Sequence, residues 1–386
     1  MWGSVKLGEV CTFQNGRAFK KSEWSETGLP IIRIQNLKKV ETEHNFFDGE
    51  YDERIFVRNG DLLLSWSGTI KPFIWCHDDA LLNQHVFKVS VSKSLDQAYA
   101  YYLLNNILDE ISKHKVGLGL QHITKKTFDN FEIILPPLTE QVRIVAKLDA
   151  TFAEIDRGIE VVKNKITEIS SLYENAVTAE FTSIENPLEK KLSDVCEKIT
   201  DGTHQTPKYF DEGYIFLSSK NVTSRKIDWE NVRYIDETQH IQMHKRIAPR
   251  IGDVLLAKNG TTGVAAIVDK DIVFDIYVSL AWLRSKGDVL PEYLLEFVNS
   301  KMAREQFTSR TKGIGVPNLH LQEIREVIIR FPQDKEKQKL LIKKLKNIDD
   351  TCNRCKQINK EKHQNLVSLK SAILAQELQP QQGEVA

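Results

Sequence analysis

The sequence predicts a mixed α+β protein: two homologous globular domains separated by two long helices that pair as an antiparallel coiled coil, the halves related by an approximate two-fold axis. Three observations carry that expectation. Five short motifs of the first half recur in the same order in the second, at offsets of 185 to 196 residues. Each half ends in a run whose apolar residues alternate spacings of three and four. The two runs carry opposite net charge. The expected boundaries are 1–137 for the first domain, 138–186 for the first helix, 187–332 for the second domain, 333–380 for the second helix, and 381–386 for a tail.

Composition narrows the class. At 386 residues, with 41% hydrophobic and 27% charged side chains, the chain suits two to three globular units with real cores. Lys plus Arg equals Asp plus Glu at 53 each, so nucleic-acid binding has to come from local patches rather than a global field. The opening residues lack the apolar core of a signal peptide, and no apolar run approaches the roughly 20 residues that span a bilayer. Five cysteines, an odd number in a long chain, fit a reducing compartment, and the expected location is cytoplasmic.

In the first domain, Leu7-Gly8-Glu9-Val10-Cys11 recurs as Leu192-Ser193-Asp194-Val195-Cys196, and Gly28 to Asn36 has its counterpart in Gly213 to Asn221. Gly60-Asp61-Leu62-Leu63-Leu64-Ser65 matches Gly252-Asp253-Val254-Leu255-Leu256-Ala257, Tyr102-Leu103-Leu104 matches Tyr293-Leu294-Leu295, and Gly117-x-Gly119 matches Gly313-x-Gly315. The Gly-x-Gly pairs read as tight turns. Residues 31–34, 62–65 and 86–91 read as short strands bounded by Gly, Asn and Asp. Residues 97–114 read as a helix, with Tyr101, Leu104, Ile107, Leu108 and Ile111 on one face, and 291–307 read as its repeat.

The first long helix carries a seam of Val145, Leu148, Phe152, Ile155, Ile159, Val162, Ile166, Ile169, Tyr173 and Ala176. The second carries Leu341, Leu345, Ile348, Cys352 and Cys355, then Leu366, Leu369 and Ile373, with Asn359 and Lys362 filling the gap. Residues 138–186 have a net charge of −4 and 333–386 a net charge of +4, so the two helices should find each other. The seam over 145–176 spans about 47 Å at the helical rise. A turn of duplex DNA is about 34 Å, so an antiparallel pair would act as a caliper with two different heads.

Several chemistries are missing. A DNA methyltransferase needs an Asn/Asp-Pro-Pro-aromatic tetrad, but Pro136-Pro137 lies between Leu135 and Leu138. No phosphate-binding Gly-x4-Gly-Lys-Ser/Thr loop is present, and nothing resembles an activated Ser or Cys nucleophile. Cys352-x-x-Cys355 lacks a second ligand pair and reads as seam packing, while Cys11 and Cys196 read as buried structural residues. His240 and His244 lie four apart, a spacing that a helix turns into a pair. Without a flanking acidic motif, no metal is assigned.

The Gly-Asp-x-Leu-Leu turns, the Leu82-Asn83-Gln84-His85-Val86-Phe87 segment and the Leu135-Pro136-Pro137-Leu138-x-Glu140-Gln141 junction resemble the specificity subunit of type I restriction–modification systems over essentially the whole chain. The second junction, Phe331-Pro332-Gln333-Asp334-Lys335-Glu336-Lys337-Gln338, lacks the double proline. The resemblance implies a non-catalytic subunit whose two target-recognition domains each read half of a split, asymmetric DNA sequence. It implies double-stranded DNA, two methyltransferase subunits and, in the full complex, restriction subunits as partners. No cofactor would bind the chain itself, S-adenosylmethionine and ATP with Mg belonging to those partners. Two rivals remain open: a specificity subunit of a type II-like fused nuclease–methyltransferase, and a coiled-coil scaffold joining two adaptor domains.

Base readout needs Arg, Lys, Asn and Gln at base edges, with basic and hydroxyl groups on phosphates. In the first domain the candidates are Arg17, Lys20, Lys21, Arg33, Gln35, Asn36, Lys38, Ser65, Trp66, Lys71, Asn83, Gln84, His85, Gln121, His122 and Lys125. In the second they are Thr203, His204, Ser219, Lys220, Asn221, Lys258, Asn259, Thr261, Asn318 and His320.

Overall fold

The computed structural model describes residues 2–38, 43–67, 70–114, 125–223, 225–260, 262–310 and 319–379. They form two compact units, Met1–Val162 with Glu361–Ala386, and Lys163–Lys360. The long helices, Leu138–Thr182 and Lys335–Glu377, are therefore not units of their own; each is divided between the two.

In the first unit, a four-stranded antiparallel sheet runs in the order Cys11–Asn15, Val86–Val91, Leu62–Ser65, Lys71–Ile74. A second sheet runs Asn45–Phe47, Leu29–Ile32, Ala80–Leu82, Phe56–Val57, its middle pair parallel. The strand Leu62–Ser65 is buried on both faces, which is why it reads as an uninterrupted apolar run. Leu62 and Leu64 enter one core with the helix Gln97–His114, and Leu63 enters the other with Ile31, Trp75 and Leu81. The turn before it needs Gly60 at φ +92°. There the Asp61 carboxylate accepts from the Arg58 amide at 2.7 Å and pairs with Lys88 at 2.6 Å.

The second unit repeats this plan. Its four-stranded sheet is ordered Cys196–Asp201, Leu280–Ser285, Val254–Ala257, Ala265–Ile267, and Tyr214–Leu217 lies between antiparallel Arg233–Ile235 and parallel Phe274–Ile276. Gly252 takes φ +87°, and Asp253 accepts from the Arg250 amide at 2.8 Å and from Trp282 and Arg284 on the neighbouring strand. The expected helix over 291–307 is instead two, Pro291–Val298 and Lys301–Arg310. Asn299 breaks it, because its buried amide pairs with both backbone groups of Ala265 on the sheet edge.

Each unit closes its junction in the same way. Gly3–Lys6 pairs with Glu132–Leu135, and Leu188–Lys191 with Ile328–Phe331. Just beyond lies a fully buried glutamine. Gln141 accepts from the Asp96 amide at 2.7 Å and donates to the carbonyls of Ser94 and Pro136. Gln338 accepts from the Leu290 amide at 2.9 Å and donates to those of Asp288 and Pro332. The second junction keeps this clamp without the double proline.

Within each unit the long helices run antiparallel. In the first, Lys147 pairs with Glu377 and Asp156 with Lys370, both at 2.7 Å, over a core of Ile144, Leu148, Phe152, Ile155 and Leu374. In the second, Glu180 pairs with Lys344 at 3.3 Å, above Val177, Phe181, Leu341 and Leu345. Such exposed pairs contribute at most about 1 kcal/mol each, so the apolar seam dominates. Val162 and Cys352 are buried, and Val145, Ile159, Ile166, Ile169, Ile348, Leu366 and Ile373 are half-buried. Cys355 and Leu369 require correction: both are exposed. After Cys352 the inward step is four residues rather than three. In the second unit it reaches Lys356 and Asn359; in the first it runs through His363, Leu366 and Lys370. The Lys370 ammonium lies over the Phe152 ring, 4.8 Å from its centroid, and reaches Asp156, a charged group at a seam position that a hydrophobicity pattern passes over.

Candidate nucleic-acid interface

In the first unit, Phe19, Trp24, Arg33, Gln35, Asn83, Gln84 and His85 line a cavity of about 220 Å³. The chain folds this way because Arg17 bridges to Asn83 in parallel, its amide donating to the Leu82 carbonyl and its own carbonyl accepting from Gln84. The Arg17 guanidinium lies over Phe19 and Phe47, 4.9 Å from each centroid, and is paired with Glu23. Arg33 sits over Trp24 at 5.7 Å. Trp66 donates from its indole to the Gln84 carbonyl and packs beside His85. Aromatic faces, a guanidinium and amide groups thus converge on one concave edge, the chemistry that stacks on and hydrogen-bonds to nucleobases. Lys20, Lys21 and Lys71 are exposed, as is Lys125, which lies 3.9 Å from Asp129. Lys38 ends the short helix Ile34–Lys38.

Two candidates of this unit are structural. Asn36 is buried, and its side-chain oxygen accepts from the Arg33 amide at 2.9 Å. Ser65 is buried, and its hydroxyl pairs with both backbone groups of Lys71. Neither offers its side chain to a groove.

In the second unit, Gly202, Thr203, Gln205, Gln242, Met243 and Arg246 line a cavity of about 190 Å³, with Asp275 and Ile276 among its walls. Beside it, the buried Asp201 is held by Lys258 at 2.6 Å and by Arg246 and His204 at 3.2 Å. Burial opposes its ionisation, but the hydrogen bond and charge of Lys258, joined by His204, outweigh that and hold the carboxyl below its usual range. Lys258 is thereby corrected: expected among the DNA contacts, it is a buried counter-ion of Asp201. Asn221 is corrected too: its oxygen accepts from the Ser218 amide and its nitrogen donates to the carbonyls of Asp228 and Asn231, repeating the role of Asn36. Lys220 and His320 are exposed, the Ser219 amide donates to the Ser279 hydroxyl oxygen, and Asn259 is half-buried. Gln121, His122, Thr261 and Asn318, with both Gly-x-Gly pairs, lie outside the described residues.

Gln242 and Arg246 were absent from the sequence candidates. They sit on and just after the helix Glu237–His244, which has no counterpart among the described residues of the first domain, so the repeat gave no signal for it. Cys11 and Cys196 are buried, and burial pushes both thiols up to about 12, so they are inert packing groups. No helix among the described residues is long and apolar enough to cross a membrane.

Two copies of one α+β plan, carrying different residues at their concave edges, define a duplicated recognition protein. The chain belongs to the family of the type I restriction modification DNA specificity domain, which matches residues 1–169 and 186–363. It is a specificity subunit of a type I restriction–modification system, a DNA-recognition component and not itself a catalyst. It is 24% identical over 373 residues to the type I restriction enzyme EcoBI specificity subunit of Escherichia coli, covering 88% of this chain and 78% of that one. It is also 24% identical to the MjaVIII specificity subunit of Methanocaldococcus jannaschii, covering 90% and 86%. Among solved structures, a chain described under "Structural basis underlying complex assembly and conformational transition of the type I R-M system" matches with a TM-score of 0.74 at 21% identity, over 98% and 97% of the two chains. The HsdS subunit from Thermoanaerobacter tengcongensis matches at 0.52 and 19%, over 98% and 96%.

Proposed function

We propose that the chain reads a bipartite, asymmetric duplex target, one half with each unit, and docks two methyltransferase subunits that flip and methylate adenine within it. Restriction subunits join through that assembly, S-adenosylmethionine and ATP with Mg being bound by the partners. The observation that carries this reading is that the two copies of the plan line different concave sites. The first unit offers Trp24, Arg33, Gln35 and His85, the second Thr203, Gln242 and Arg246, so duplicated folds present unlike hydrogen-bonding patterns.

The test is methylome mapping of the reconstituted complex. Arg33→Ala should cost about 1–3 kcal/mol of discrimination at one base of one half-site and leave the other half unchanged. Arg246→Ala should do the converse. Methylation by the chain without a partner, or equal relaxation of both halves by either variant, overturns the proposal.

A further inference from the structure

On the helix Glu237–His244, His240 and His244 are one turn apart and face the strand Phe274–Ile276. There Asp275 presents a carboxylate whose side chain is only 1% exposed. His240 Nδ1 lies 2.7 Å from Asp275 Oδ2, and His244 Nδ1 lies 3.4 Å from Oδ1. The candidate donor atoms of all three residues fall within 4.8 Å of one another. Tyr214 stacks on the His240 ring at 3.8 Å between centroids and 10° between planes, fixing its orientation.

Two features set this cluster apart from an ordinary hydrogen-bonded carboxylate. Asp275 Oδ1 and His244 Nδ1 are both shut off from solvent and lie 3.4 Å apart, without a well-formed hydrogen bond to each other or to another described group. A buried acceptor left this way is costly, and a buried carboxylate more so. The duplicated fold also shows what the position requires for packing alone. Phe216 pairs with Asp275 in the second unit where Ile31 pairs with Leu81 in the first, so the matching strand position is filled by leucine. The fold is satisfied by an apolar side chain there, and the carboxylate answers to something else.

We propose that His240, His244 and Asp275 bind a divalent transition-metal ion, zinc in the first instance, with a fourth position left to water. Two imidazoles and one carboxylate suit a borderline ion of tetrahedral preference, with bonds near 2.0–2.2 Å. The ion would pin the helix to the strand Phe274–Ile276 of its own unit. That helix and the loop after it carry Gln242 and Arg246, so the metal sets the shape of the cavity they line with Thr203. The role is structural, with no reaction step at the ion.

The experiment uses the untagged full-length chain, stripped with a chelator and titrated with ZnCl2 by calorimetry, thermal unfolding and, with CoCl2, visible absorption. The expected result is one ion per chain and a rise of about 5 °C in unfolding midpoint at saturating zinc. Cobalt bands should be free of thiolate charge transfer. The His240→Gln/His244→Gln double variant and Asp275→Leu should each abolish uptake. Asp275→Leu carries the residue that the first unit tolerates at this position, so it should fold. Absence of saturable uptake overturns the proposal. So does uptake unchanged in the variants, or a thiolate signature tracing the metal to cysteines.

Discussion

Asp201 is where packing and charge pull in opposite directions, and the outcome fixes what its neighbours can do. A carboxylate this deeply buried persists because Lys258, Arg246 and His204 surround it, and Lys258 is spent in doing so. Lys258→Met should therefore lower stability by about 2–3 kcal/mol, at the lower end for a broken buried pair because two other cations remain. Chemical denaturation of the full chain checks this. Because the folded carboxyl is held below its ordinary value, its contribution is complete above the usual carboxylate range near 3.9 and is lost as pH falls through the folded value. The acid limb of the stability profile should flatten in the variant. In the sequence, Lys258 reads as a DNA-contact candidate because residue type and loop position are visible there, while a counter-ion 57 residues away is not. Asn36 and Asn221 misled for the same reason: asparagine suits a base edge and equally suits a backbone amide.

At the level of elements, much of the fold was legible. The strands Leu62–Ser65 and Val86–Val91 and the helix Gln97–His114 fall where apolar spacing placed them, since burial on a defined face dictates that spacing. The seam was legible up to Cys352 and then slipped, because charged residues, the half-buried Lys356 and Lys370, occupy seam positions that an apolar pattern does not mark. The long reach of Asn299 to Ala265 left no local trace, and the junction glutamines, visible as motif residues, gave no sign of the backbone groups they clamp. Those glutamines carry a definite cost. Gln141→Leu would strand one amide and two carbonyls in the interior, and should destabilise the first unit by about 2–4 kcal/mol. Hydrogen exchange should show the loosening concentrated around Ser94 to Asp96 and the start of Leu138–Thr182. Uniform loss of protection across both units would argue against a local joint.

For the molecule as a whole, the proposed reading makes the paired helices a ruler, and rulers can be lengthened. Four residues inserted within 159–169, with four matching residues in the C-terminal helix to keep the seam in phase, add about 6 Å of rise. The gap between the half-sites methylated by the reconstituted complex should grow by one or two base pairs, at about 3.4 Å each. An unchanged gap would remove the helices from any measuring role. The ruler is an expectation drawn from the repeat and the heptads, which are global signals. The bases each edge prefers depend on a few side chains set by loops that differ between the two copies, and these leave no periodicity to read.

The twin glutamine clamps are built from neutral amides and backbone groups sealed away from water, so dissolved ions have little purchase on them. Lysine and arginine contacts to a nucleic-acid backbone respond in the opposite way, weakening steeply as electrolyte rises. A titration with KCl would accordingly loosen the grip on DNA while the joints stay shut, and its slope would count phosphate contacts without interference from a protein coming apart.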